Sequence, residues 1–281
     1  MFRRCNRLGP DFGPGRRATG VTPVPRGLTL LELLIAMTIM VMVVGTLGAL
    51  AKGVQDGFQY SEGHELATQH ARVVLDRIGQ TVREATANER FPGVMVLAGT
   101  VGSWRFPDTL VVWHPAGRPT DRSGLPRYNE LVIYCPDWSE PSRLVEITTA
   151  DTRTVPPVEN PAQWAAEIEA IKQSGSSRVV TLTELLRTGL ADDSIATSWR
   201  GAVRFETRLR PSQSEWDGYK NGKRKWEDLS WVQGICGSRS GLRQVWVRTE
   251  LQLTASGEVG AANGRPLPFL SSAALYYQMR K

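Results

Sequence analysis

Between Leu28 and Ala51 lie 24 residues whose only ionisable side chain is Glu32, and Lys52 closes the run. In hydrocarbon such a segment must satisfy its backbone groups internally, so it has to be helical. At about 1.5 Å per residue it reaches about 36 Å, enough for a bilayer core of about 30 Å. The 27 residues before it are rich in Arg, Gly and Pro and show no periodicity, as expected of an unstructured leader. They hold six arginines (Arg3, Arg4, Arg7, Arg16, Arg17 and Arg26) against one acid, Asp11, a net of +5. This asymmetry puts the N-terminus in the cytoplasm and the body outside it. The whole chain is +6, so only +1 remains for the 254 residues after Gly27, and no nucleic-acid partner is expected for the body.

Glu32 needs a reason. A charge at mid-bilayer costs about 2.5–3.5 kcal/mol, and such residues usually have partners. Thr29-x-x-Glu32 has the spacing of a capping box, in which the carboxylate covers free amides and favours the positive end of the helix. An ordinary signal peptide has an apolar core of about 7–15 residues before a small-x-small cleavage site. Ala49-Leu50-Ala51 supplies the site, but the core ahead of it is too long. A plain signal anchor fits the length and leaves Glu32 unexplained.

The stretch "GLTLLELLIAMTIM" (27–40) resembles the type III signal of type IV pilins and pseudopilins: Gly, a cleavage point, an apolar residue, Thr, two aliphatics and Glu, then about twenty apolar residues. Gly27 matches the last leader residue, Leu28 the new N-terminus, and Thr29 and Glu32 the family's Thr and Glu. Leu28 stands where the family most often has Phe or Met, and the leader is longer than in many pilins. The resemblance implies cleavage between Gly27 and Leu28 by a prepilin peptidase, with N-methylation at Leu28. It also implies that Glu32 pairs with the Leu28 α-amino group of a neighbouring subunit, fixing their register. The implied partners are other pilins or pseudopilins, and the implied location is the inner membrane.

From Leu66 to Ala85, apolar residues recur at Ala67, Ala71, Val74, Leu75, Ile78, Val82 and Ala85, the steps of one helix face. Residues 52–90 are therefore expected to continue the helix up to Pro92-Gly93, with Gly53, Gly57 and Gly63 as points of bending. The segment resembles the second helix half of J-type pseudopilins and W-type minor pilins. Residues 91–281 read as an α+β body. Strands are expected at 93–98, 109–114, 130–135, 143–149, 202–209, 244–254 and 271–278, and a short helix at 161–174. In 202–209 and 244–254 the alternation of apolar and polar residues marks half-buried antiparallel strands.

No phosphate-binding loop, paired-histidine metal motif or nucleophile elbow appears, and no catalytic residue, metal or cofactor is expected. His64, His70 and His114 are not spaced to share a site. The adjacent Asp192 and Asp193 lack the alternating oxygens of a calcium loop. Cys135 and Cys236 are either free or, in an oxidising compartment, joined in one disulfide. The segment 211–240 interleaves Trp216, Tyr219, Trp226 and Trp231 with Lys220, Lys223, Arg224 and Lys225. It is expected to form a long hairpin whose tryptophans cover the body while its basic tip is solvated. The expected protein is thus a pilin-like α+β chain and a non-catalytic subunit of a type II secretion pseudopilus or type IV pilus. The alternative is an anchored or secreted enzyme or binding protein with an ordinary signal, cut after Ala51 or not cut at all.

Overall fold

A computed structural model of the chain describes residues 27–192, 198–254 and 266–281. The described chain falls into two compact units that meet between Gln55 and Asp56. Helix α1 spans Leu30–Arg83. Its N-terminal part is long and apolar enough to cross a membrane. Every described residue before Asp56 is exposed, including Leu30, Met40, Val44 and Leu50. So large a continuous apolar surface requires lipid or other apolar helices around it. Gly53, Gly57 and Gly63 lie inside α1 without interrupting it.

In the second unit the expected stripe is the core face of α1. Ala67, Ala71, Val74, Ile78 and Val82 are all buried, while Leu75 and Ala85 pack against them only in part. The helix ends at Arg83, short of the expected boundary near Pro92. The Thr86 amide donates to the Trp113 carbonyl at 2.8 Å instead of continuing the helical ladder. The Asn88 side-chain oxygen accepts from the amides of Arg90 and Phe91, both at 2.8 Å, which closes a turn.

Five antiparallel strands follow: β1 (Val94–Val101), β2 (Trp104–Trp113), β3 (Leu131–Pro136), β4 (Leu144–Thr148) and β5 (Arg178–Thr183), paired in sequence order. Helix α2 (Pro161–Lys172) interrupts the meander before β5. Its Asn160 cap accepts from the Gln163 amide at 3.4 Å, and Pro161 sits in the first turn. Because side chains alternate across a strand, this sheet has two apolar faces. Leu110, Val112, Val132, Tyr134 and Leu144 join the α1 stripe, whereas Val111, Trp113, Ile133, Cys135, Val145 and Ile147 join Trp164, Ile168 and Ile171 of α2.

A short ribbon, β6 (Thr188–Leu190) with β7 (Trp199–Gly201), precedes a second sheet. That sheet comprises β8 (Val203–Arg210), β9 (Ser240–Leu253) and β10 (Leu267–Arg280) in the order β10-β9-β8. Its inner residues, among them Phe205, Val245, Val247, Leu251, Leu275 and Met279, complete the cluster that includes the α1 stripe. The fold is α+β with a pilin-like arrangement, an N-terminal helix whose later turns pack on antiparallel sheet.

Strand β5 was not expected, because its first four residues are exposed and show no alternation. The segment 211–240 is not a hairpin. It contains α3 (Gln213–Lys220) and 3-10 turns at Trp226–Asp228 and Val232–Gly234. Ser212 and Glu215 form a reciprocal capping box on α3, a signal present in the sequence, but so short a helix has no apolar stripe.

A polar clasp joins α1 to the first sheet. Arg77 donates from Nε and Nη2 to the two carboxylate oxygens of Glu146, each at 3.0 Å. The Tyr134 hydroxyl donates to Glu146 at 3.0 Å, and Thr81 Oγ1 lies 2.8 Å from that hydroxyl. Burial penalises the Glu146 anion, yet the Arg77 and Tyr134 hydrogen bonds outweigh it and hold the carboxyl below its ordinary value of 4.5. The Glu146 bond also raises the Arg77 guanidinium above its usual range. Because the folded pKa of Glu146 is depressed, its contribution is full above the ordinary carboxylate value and disappears as pH falls through the folded one. We expect Arg77→Ala to destabilise the body by about 1–2 kcal/mol at pH 7, since it strips a charged hydrogen-bond partner from a buried acid. In urea titrations followed by tryptophan fluorescence, the difference between parent and Glu146→Gln should shrink as pH drops below 4.5.

Candidate processing and assembly site

Gly27, Leu28 and Thr29 precede α1 and are exposed. The Leu33 amide donates to the Thr29 carbonyl at 3.1 Å, which makes Thr29 the residue that caps the helix. The Thr29 amide and hydroxyl donate to Glu32 Oε2 at 2.9 and 3.0 Å, and the Glu32 amide donates back to Thr29 Oγ1 at 3.3 Å. The capping box expected from the spacing is therefore present. Among the described residues, all the hydrogen bonds to this carboxylate use Oε2. Glu32 itself is exposed, at the first turn of an exposed apolar stretch.

Gly27 has no conformational reason to be glycine. Its φ lies outside the left-handed region, and a Cβ added there would meet nothing within 4 Å. Gly241 is a contrast: a Cβ there would lie 2.6 Å from the Trp231 ring. Packing therefore accounts for Gly241, whereas nothing among the described residues accounts for Gly27.

The remaining residues singled out in the sequence are not brought into one site. His70 Nδ1 lies 3.1 Å from Thr183 Oγ1, His114 Nε2 lies 3.3 Å from a Glu84 oxygen, and His64 stacks on Tyr60. Among the described residues no group of three His, Cys, Asp or Glu side chains is placed to hold a metal ion. Asp193 lies outside the described residues, and Asp192 stands at their edge. Trp216, Trp226 and Trp231 are buried against the body, as expected. Trp226 Nε1 donates to the Gly237 carbonyl and Trp231 Nε1 to the Trp226 carbonyl, both at 2.9 Å. Lys223, Arg224 and Lys225 are exposed.

The two body cysteines do not pair; both are free. Cys135 points to the α2 side of the first sheet, while Cys236 packs against the cluster on the α1 side. The sheet stands between them, a relation that their number in the sequence does not reveal. Burial pushes the Cys135 thiol up to about 12.

Arg77, Glu146 and Tyr134 were missed by reading the sequence. Their signal was Glu146 itself, a carboxylate sharing a strand face with Leu144 in the apolar run Leu144–Thr148. No known protein family, curated protein or solved structure matches the chain. We expect alkylation of the folded protein to modify Cys236 and spare Cys135. Unfolding without reductant should expose both thiols, and failure to label them would contradict the free state.

Proposed function

We propose that the chain is a minor pseudopilin or minor pilin, a non-catalytic subunit at or near the tip of a type II secretion pseudopilus or type IV pilus. The observation that carries this reading is the start of α1: a glycine the fold does not require, then a capped carboxylate, then a fully exposed apolar helix. A prepilin peptidase would cut between Gly27 and Leu28, since a residue without a side chain admits the enzyme at the membrane boundary. The freed Leu28 amine, N-methylated, would then meet Glu32 of a neighbouring subunit. Opposite charges in a low-dielectric layer attract strongly, so this pairing offsets desolvation and sets the axial register. The protein would sit in the inner membrane with its N-terminus cytoplasmic and its body outside, its partners being other pilins or pseudopilins.

The exposed apolar surface supports the same reading. A leader removed after Ala51 would take the exposed apolar part of α1 with it, leaving the body without an assembly element. Mass spectrometry of the membrane-extracted protein should find a chain beginning at Leu28; one beginning at Lys52 would mean an ordinary signal sequence and overturn the proposal.

Substitution of Glu32 separates capping from assembly. Loss of a capping interaction costs about 0.5–2 kcal/mol, too little to unwind a long helix in an apolar environment. We expect Glu32→Ala to insert and be processed normally, but to lose co-purification with its filament partners after mild extraction. Glu32→Asp should be intermediate. Assembly of the alanine variant at the parental level would reduce Glu32 to a helix cap.

A further inference from the structure

The core face of the second sheet holds a cation with no acid beside it. Strand β9 alternates in burial along its length, so Arg243 enters the core on the same face as Val245 and Val247 and is only 2% exposed. Buried charges are normally paired, because an unpaired ion gives up its hydration for nothing. Arg243 forms no ion pair among the described residues. Its Nε donates to the Pro211 carbonyl at 3.0 Å and its Nη2 to Gln213 Oε1 at 3.1 Å, and both acceptors are neutral. Its Nη1 has no acceptor among the described residues.

Two further donors next to this guanidinium are unsatisfied. Tyr277 stands opposite Arg243 in the pairing of β9 with β10, and both side chains are on the core face. The Tyr277 hydroxyl is buried and has no hydrogen-bond partner among the described residues. The Trp216 ring centre, on α3, lies 5.9 Å from Arg243 Cζ, and Trp216 Nε1 is likewise buried without a partner. Trp226 and Trp231 of the same cluster both have carbonyl acceptors, so the lack is particular to Trp216. Lys220 Nζ lies 5.7 Å from the Trp216 ring centre and adds a second positive charge. The acids of this region are engaged elsewhere. Glu215 binds Ser212 and Ser230 and pairs with Arg224, while Glu89 is exposed and accepts from the Arg280 amide at 3.1 Å.

We propose that Arg243, Trp216 and Tyr277 form a buried site for a small inorganic anion of chloride size. The guanidinium and the indole N–H can only donate, and the tyrosine hydroxyl still has a proton to donate. The ligand must therefore accept from all of them and also balance a positive charge. A water molecule accepts but brings two donors of its own and leaves the charge uncompensated. All three side chains are more than nine-tenths buried, so the site suits a monatomic anion and not a phosphate or an organic acid. Such an anion joins α3 to β9 and β10, and the folded body is then more stable when the anion is present. Subunit assembly plays no part in this site.

The test melts the full chain in detergent micelles at equal ionic strength in sodium chloride and in sodium gluconate, whose anion is too large to enter. Unfolding is followed by far-ultraviolet circular dichroism. The parent should melt about 5 °C or more higher in chloride, since a ligand that binds only the folded state raises Tm. Trp216→Phe and Tyr277→Phe keep the rings and remove one donor each. Both should melt near the parent in gluconate and lose about half or more of the chloride shift. Arg243→Met removes the charge from the core and should melt at the same temperature in both salts. The parent should also broaden the chloride NMR line, and Arg243→Met should not. Equal melting of the parent in the two salts would overturn the proposal and leave water as the occupant. A chloride shift that persists unchanged in the phenylalanine variants or in Arg243→Met would overturn it as well, because it would be a general salt effect.

Discussion

The body depends on how closely the later turns of α1 approach the sheet. Ala67 and Ala71 occupy the core stripe where larger residues would hold the helix away, and Val74, Ile78 and Val82 fill the space farther along. Close approach brings Arg77 within reach of Glu146 and Thr81 within reach of Tyr134. Apolar packing supplies most of the stabilisation but is non-directional. The clasp adds direction, since a bidentate guanidinium–carboxylate pair tolerates little sliding of the helix along the strand.

The first sheet is buried on both sides, with α1 and the second sheet on one face and α2 on the other. A sheet covered on two faces needs apolar residues at successive positions, and β2 and β3 show this over Leu110–Trp113 and Leu131–Cys135. The second sheet has one face in the core, so β8 and β9 alternate cleanly and their charged residues stand outward. The difference between its two faces leaves a basic surface without disturbing the core.

Glu32 combines two physical roles. Its side chain satisfies amide and hydroxyl donors at the start of the helix, and it leaves a carboxylate exposed in a segment that otherwise shows only hydrocarbon. The cap holds the side chain in place at the start of an exposed apolar surface, where burial of that surface would favour an opposite charge beside it.

The apolar run, its cap and the stripe from Ala67 to Val82 were legible in the sequence because they rest on local periodicity and on residues three or four apart. The alternating strands β8 and β9 were legible for the same reason. Strand β5 was not, because an edge strand exposed along most of its length carries no pattern. Three features were decided only by the tertiary structure. Cys135 and Cys236 fall on opposite sides of a sheet, a relation set by strand register across a hundred residues. Glu146 meets Arg77 only once the helix docks. The tryptophans of 211–240 enter the core through a short helix and turns, because the space they fill is defined by Arg243, Gly241 and neighbouring strands. Sequence alone determined the exposed apolar helix and its capped carboxylate, since each depends on neighbours along the chain. The clasp, the free thiols and the basic outer face came from folding, since each depends on residues that only the packed sheets bring together.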